Sequence, residues 1–89
     1  EAEQLNIIDN RLADLAQRAS ELRGIFDYDQ KADQLKTVAR ELEDPAVWDN
    51  AERAQELGRE RRSLENVVLT LNRVADSLRD TGELFAMAR

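Results

Sequence analysis

The sequence contains no cysteine and no histidine, and these two absences exclude several classes of function. Without cysteine the chain cannot form a disulfide or a thiolate metal site. Without histidine it cannot build a nucleophile–imidazole pair, and most zinc sites are excluded as well. The chain also has no Gly-rich phosphate loop, no activated nucleophile and no paired acid and base. We therefore predict a protein that is not an enzyme, with no catalytic residues, no metal and no cofactor.

Proline, glycine and aromatic residues are also scarce, and this favours helices. One Pro, three Gly and 4% aromatic residues stand in a chain of 89 residues that is 36% charged. Such a composition favours a single small helical domain whose core is built from Leu, Val, Ile and Ala. No apolar stretch approaches the roughly 20 residues of a membrane span. The net charge of −6 argues against broad electrostatic capture of nucleic acid.

The first segment has the periodicity of a helix that buries one face. Its apolar residues recur at steps of three and four, which place them on one side of an α-helix. Gly24 follows this stripe directly and is predicted to end the helix in a left-handed conformation. The stripe consists of Leu5, Ile8, Leu12, Leu15, Ala19 and Leu22.

A second helix is predicted to begin immediately after this turn. Asp27 suits its N-cap, with Gln30 completing a capping box three residues later. The helix should stop near Glu43, because the residue before Pro45 is pushed away from helical dihedral angles. We interpret the following short turn as a place where Trp48 fills the end of the core. The apolar stripe of the second helix is Tyr28, Ala32, Leu35, Val38, Ala39 and Leu42.

The third predicted helix is the longest. Asp49 and Glu52 have capping-box spacing at its start, and it should run from about residue 50 to 79, about 45 Å at 1.5 Å per residue. Gly82 should then loosen the chain before a fourth apolar segment. We therefore predict an all-α fold: an antiparallel helical bundle of three main helices, with a long third helix and the start of a fourth, forming one helical domain over residues 1–89. The third stripe is Ala54, Leu57, Leu64, Val67, Val68, Leu71, Val74, Ala75 and Leu78.

The third helix also carries the one concentrated group of cations. Arg59 and Arg62 lie three residues apart on one face and could grip a phosphate or an acidic partner. The alternative is an ordinary solvated face, in which Glu65 pairs with Arg61 or Arg62 within the helix. Leu69 lies away from the apolar stripe, and such an exposed apolar residue is a weak sign of docking.

Three segments of the chain, in order and at matching separations, resemble the amino-terminal helical domain of the bacterial peptide chain release factor 2 family. They are Leu22–Asp29 (LRGIFDYD), Leu42–Trp48 (LEDPAVW) and Glu52–Glu60 (ERAQELGRE) with the Ser-Leu-Glu that follows at 63–65. The resemblance implies a ribosome-bound translation termination factor that directs peptide release at UGA and UAA stop codons. The family reads the codon with a Ser-Pro-Phe tripeptide and promotes hydrolysis with Gly-Gly-Gln. Neither occurs here, so the codon-reading and hydrolysis domains are absent and the chain should be inactive alone.

The resemblance also implies partners and a role. In the family this domain lies near the stalk base of the large ribosomal subunit, which suggests contact with the stalk-base protein and rRNA, and it is tied to a recycling GTPase. We therefore expect a cytoplasmic docking and conformational module with no membrane and no small-molecule substrate, in which Arg59 and Arg62 are the candidate contacts. The chain does not begin with Met, and we expect it to be part of a longer protein. The alternative is a self-associating coiled-coil or helical scaffold module.

Overall fold

The computed structural model describes residues 1–88, and every regular element in that range is a helix. The elements are α1 (Ala2–Ile25), α2 (Tyr28–Glu43), the short α3 (Pro45–Trp48) and α4 (Ala51–Ala88). The all-α prediction is confirmed. Arg89, the last residue of the predicted domain, lies outside the described residues.

α4 is the axis of the structure, and the other two long helices pack on different halves of it. In the first half, Val38 of α2 packs with Leu57 and Leu64 of α4. In the second half, Ala19 of α1 lines the same surface hollow as Leu78. α1 and α2 make few contacts with each other, and each packs on a different stretch of α4. Both helices run antiparallel to α4.

The resulting shape is long and thin, with principal extents of 64 × 24 × 15 Å. The predicted antiparallel bundle with one long helix takes an extended form, because the two shorter helices make few contacts with each other. α4 has 38 residues, whereas α1 has 24 and α2 has 16. At 1.5 Å per residue α4 is about 57 Å long, and the two shorter helices together span about 60 Å. Each of them therefore has its own stretch of α4 to cover.

The turn between α1 and α2 is built differently from the prediction. Gly24 lies inside α1, and the left-handed residue is Asp27, with φ of 51°. Aspartate is one of the few non-glycine residues that tolerate this region. Asp27 is the N-cap of α2, but its side chain makes no capping hydrogen bond, so the predicted capping box with Gln30 is wrong. Lys31 instead stabilises the turn, since its Nζ donates to the Phe26 carbonyl at 2.6 Å.

The turn between α2 and α4 has the predicted backbone: α2 ends at Glu43, and Pro45 begins the short helix α3. The Asp44 side chain accepts a hydrogen bond from the Ala46 amide at 3.0 Å, which caps α3. Trp48 donates its indole N–H to the Leu42 carbonyl at 2.8 Å, but its side chain is 63% exposed. The prediction that Trp48 fills the core is therefore wrong. The smaller Val47 packs against the core instead.

α4 begins and ends at different places from those predicted. Asn50 is the residue that caps it, because its Oδ1 accepts a hydrogen bond from the Arg53 amide at 3.2 Å. The predicted box of Asp49 and Glu52 is therefore wrong. The predicted break at Gly82 is also absent, and one helix continues to Ala88. An interior glycine costs only about 1 kcal/mol relative to alanine, which contacts with α1 can offset.

The core lies almost entirely between α2 and α4. α1 contributes no buried residue, and the predicted core residues Leu15 and Leu22 are 48% and 42% exposed. Over residues 1–88, no helix combines the length and apolar composition that crossing a membrane requires. The buried residues are Val38, Ala54, Leu57, Leu64, Val68 and Leu71.

Candidate docking surface

Arg59 and Arg62, the candidate contact residues, lie on the outer side of α4. Leu57 and Leu64 point into the core. Since successive helical residues are rotated by about 100°, Arg59 is about 200° from Leu57 and Arg62 is about 200° from Leu64. Both arginines therefore point away from α2, and both are exposed.

The structure decides which arginine pairs with Glu65. Arg61 Nε lies 2.8 Å from Glu65 Oε1, in an ion pair between residues four apart. Arg62 makes no ion pair or hydrogen bond with any residue in the described range. The pairing alternative therefore applies to Arg61 and leaves the Arg62 guanidinium available to a partner.

Glu56, which lies three residues before Arg59 on the same helix, also forms an ion pair with another residue. Arg53 reaches Glu56 and Glu41 at 3.2 Å each, which connects α4 to α2. Arg59 is left with no ion pair or hydrogen bond among residues 1–88. Since guanidinium groups donate to carboxylates and phosphates in a fixed fork geometry, Arg59 and Arg62 form an exposed pair of unused donors.

Three further residues continue this face toward the carboxyl end of α4. Asn66, Leu69 and Arg73 follow Arg62 at steps of four, three and four, which keeps them on one side of the helix. Leu69 is 46% exposed, and Arg73 has no ion pair within the part of the chain that the structure describes. We call Arg59, Arg62, Asn66, Leu69 and Arg73 the arginine face.

The arginine face is an exposed cationic strip whose guanidinium groups could donate hydrogen bonds to an anionic partner. It contains no carboxylate and spans about 21 Å from first to last residue at 1.5 Å per residue. Arg73 was missed by the sequence interpretation, although the same spacing rule that joins Arg59 to Arg62 could have found it. Among residues 1–88, no three His, Cys, Asp or Glu side chains come together in a way that could hold a metal ion.

The fold and the arginine face together define an elongated, all-helical module with an exposed cationic face on α4. No protein-family model matches the chain. Curated proteins named peptide chain release factor 2 do match it. The chain is 53% identical over 88 residues to the protein from Burkholderia pseudomallei strain 1106a and 51% identical over 89 residues to that from Variovorax paradoxus. It is 54% identical over 89 residues to the Burkholderia cenocepacia protein.

These matches cover 99% to 100% of the chain. The matched region is an amino-terminal fragment of the proteins named peptide chain release factor 2. The chain spans 24% of the length of these curated relatives, so about three quarters of each of those proteins lies outside the match. The resemblance carried by the three sequence segments is confirmed.

Proposed function

We propose that this chain is the ribosome-docking and conformational module of a termination factor that directs peptide release at UGA and UAA codons. The observation that carries the proposal is identity of about half over the whole chain to proteins named peptide chain release factor 2. The 89 residues contain neither Ser-Pro-Phe nor Gly-Gly-Gln. On this proposal, codon reading and hydrolysis belong to other parts of the factor, and this module contributes binding.

The arginine face is the proposed contact with the ribosome. Its partner on this proposal is the stalk base of the large subunit, where rRNA phosphates and a ribosomal protein lie together. Guanidinium groups suit phosphates because they donate two parallel hydrogen bonds and keep their charge at every physiological pH. Arg59 and Arg62 make no ion pair among residues 1–88, so binding need not break an existing one. The module would act in the cytoplasm, and a recycling GTPase is a second proposed partner.

Charge-neutralising variants of the full-length factor test this contact. Arg59→Gln with Arg62→Gln should weaken binding to stop-codon ribosomes roughly three- to tenfold, since an exposed charged contact contributes on the order of 1 kcal/mol. The slope of log affinity against log salt should fall by about 1 for each lost phosphate contact. Both quantities can be measured with a fluorescently labelled factor at several KCl concentrations.

Arg61→Gln is the matched control, because Arg61 is adjacent on the chain but already pairs with Glu65. It should bind within about twofold of the parent, in line with the small contribution of exposed ion pairs. If the double variant binds as tightly as the control and shows the same salt slope, the arginine face is not the contact. If the isolated module neither binds ribosomes nor competes with the full-length factor, the docking function itself is wrong.

Self-association is the second candidate function, and the exposed apolar residues of α1 are the observation that favours it. More than 40% of the surface of both Leu15 and Leu22 is exposed. Analytical ultracentrifugation of the full-length factor tests it directly. A monomer at micromolar concentration rules it out, whereas a stable dimer supports it.

A further inference from the structure

The half of the molecule built from α1 and the end of α4 has an apolar side that nothing in the described range covers. Leu15 is 48% exposed, Leu22 is 42% exposed and Val74 is 40% exposed. In the other half, the corresponding stripe of α4 is buried under α2, with Leu57 at 1% exposure. The two halves therefore differ in how completely the apolar stripe of α4 is covered.

Helical geometry places the three exposed residues on the same side of the α1–α4 pair. The opposite side is marked by a hollow that Ser20 of α1 and Arg79 of α4 both line. Leu22 is two residues from Ser20, or about 200° around α1, and Val74 is five residues from Arg79, or about 140° around α4. Leu15 is seven residues before Leu22 and shares its face. We call Leu15, Leu22 and Val74 the open flank.

The borders of the open flank indicate what kind of element could cover it. On the α4 side, the neighbouring row contains two small uncharged residues seven apart, Thr70 and Ser77, both exposed. A smooth row of this kind lets another helix approach to the usual interaxial distance of roughly 8–10 Å. On the α1 side, the border carries Arg11 and Arg18, of which Arg18 lies 3.1 Å from Asp14. Arg11 has no ion pair among residues 1–88, so a helix that packs here would gain from an acidic side chain placed next to it.

The thinness of the structure shows that there is room for such a helix. The smallest principal extent is 15 Å, which corresponds to one layer of paired helices. A third helix in the groove between α1 and α4 would convert this half into a three-helix bundle and bury the open flank. Burial of apolar surface is the dominant favourable term in such packing.

We infer that the open flank is covered by an amphipathic helix with an acidic edge, contributed by the same polypeptide outside these 89 residues. The curated relatives are about four times as long as this chain, since it spans 24% of them. A segment joined to α4 by a flexible linker is present at an effective concentration of about a millimolar. A second copy of the protein at micromolar concentration cannot compete with that unless its contacts are far more favourable. The covering segment is therefore intramolecular.

Cysteine accessibility in the full-length factor tests this inference, and this segment is suited to the method because it contains no cysteine. Leu22→Cys and Val74→Cys, each made in a factor whose other cysteines are replaced by serine, report on the open flank. Leu69→Cys is the matched control, because Leu69 has a similar exposure of 46% but lies on the arginine face. Labelling with a thiol-reactive dye is followed without ribosomes, and circular dichroism verifies that each variant remains folded.

The two flank variants should react at least about tenfold more slowly than Leu69→Cys, which corresponds to a flank that is covered more than nine tenths of the time. Their rates should not change between about 0.1 and 50 µM protein, since an intramolecular contact does not depend on concentration. Arg11→Glu should raise the labelling rate of Leu22→Cys by repelling the acidic edge.

Three results would overturn the inference. Equal rates at the flank and at Leu69→Cys would show that the flank is open. Protection that increases with protein concentration would identify a second copy as the occupant. Protection that Arg11→Glu leaves unchanged would refute the acidic edge. None of these outcomes bears on the arginine face, so this inference and the docking function fail separately.

Discussion

Replacing Leu57 by alanine should remove most of the stability of this module, because Leu57 is the most completely buried large side chain among the described residues. It is 1% exposed and packs with Val38 of α2 and Leu64 of α4. Truncating a fully buried leucine costs the transfer free energy of the removed atoms and leaves a cavity, and the sum is about 2–5 kcal/mol. A loss of about 3 kcal/mol lowers the ratio of folded to unfolded molecules by a factor of about 150. For a domain of this size, the same loss lowers the midpoint of thermal unfolding by roughly 12–24 °C.

Urea and thermal unfolding followed by circular dichroism measure this change, and Leu69→Ala provides the control. Leu69 has the same side chain on the same helix but is 46% exposed. Its truncation should cost less than about 1 kcal/mol, since no cavity forms at a surface site. If Leu57→Ala and Leu69→Ala lose similar amounts, the core between α2 and α4 is not where the structure places it. The slope of the unfolding free energy against urea should remain unchanged in both variants.

Three further substitutions test the turns and the junction between α2 and α4. Tyr28→Phe removes the 2.7 Å hydrogen bond from the Tyr28 hydroxyl to Asn72 Oδ1, and urea titration should show a loss of about 0.5–1.5 kcal/mol. Asp27 has φ of 51°, a left-handed conformation that is costly for a β-branched residue. The variant Asp27→Val should therefore be less stable than Asp27→Gly by about 1–2 kcal/mol. Equal stability of the two variants would contradict the turn geometry. Asn50→Ala removes the side chain that accepts a hydrogen bond from the Arg53 amide at the start of α4. This should lower the free energy of unfolding by about 1 kcal/mol and lower the melting temperature, whereas Asn50→Asp should largely retain the stability of the parent.

Much of the candidate docking surface follows from helical spacing, but the state of its side chains does not. Arg59 and Arg62 could be placed together on one face from their separation alone. The sequence could not decide whether Glu65 pairs with Arg61 or Arg62, because both lie within a helical turn of it. The structure resolves this in favour of Arg61, and so identifies Arg62 as the unpaired member.

The turns show a similar division. Pro45 excludes a helical conformation at the residue before it, and α2 ends accordingly at Glu43. Gly24 carried an equally plain signal for a left-handed residue, yet Asp27 takes that conformation. Glycine can adopt a left-handed conformation but does not have to, whereas the proline ring fixes its own φ and restricts the residue before it. Proline is therefore the stronger predictor of a helix end.

The sequence by itself determined that this chain is helical, which side of α2 and of the first half of α4 is buried, and which family it resembles. Those features depend on backbone hydrogen bonds between residues four apart and on side-chain periodicity, both of which are local. The tertiary structure alone decided that α1 and α2 lie in succession along α4, that Trp48 stays outside and that Leu22 remains exposed. An apolar stripe indicates which side of a helix packs against another element. Which element packs there depends on the lengths and packing of all the helices together.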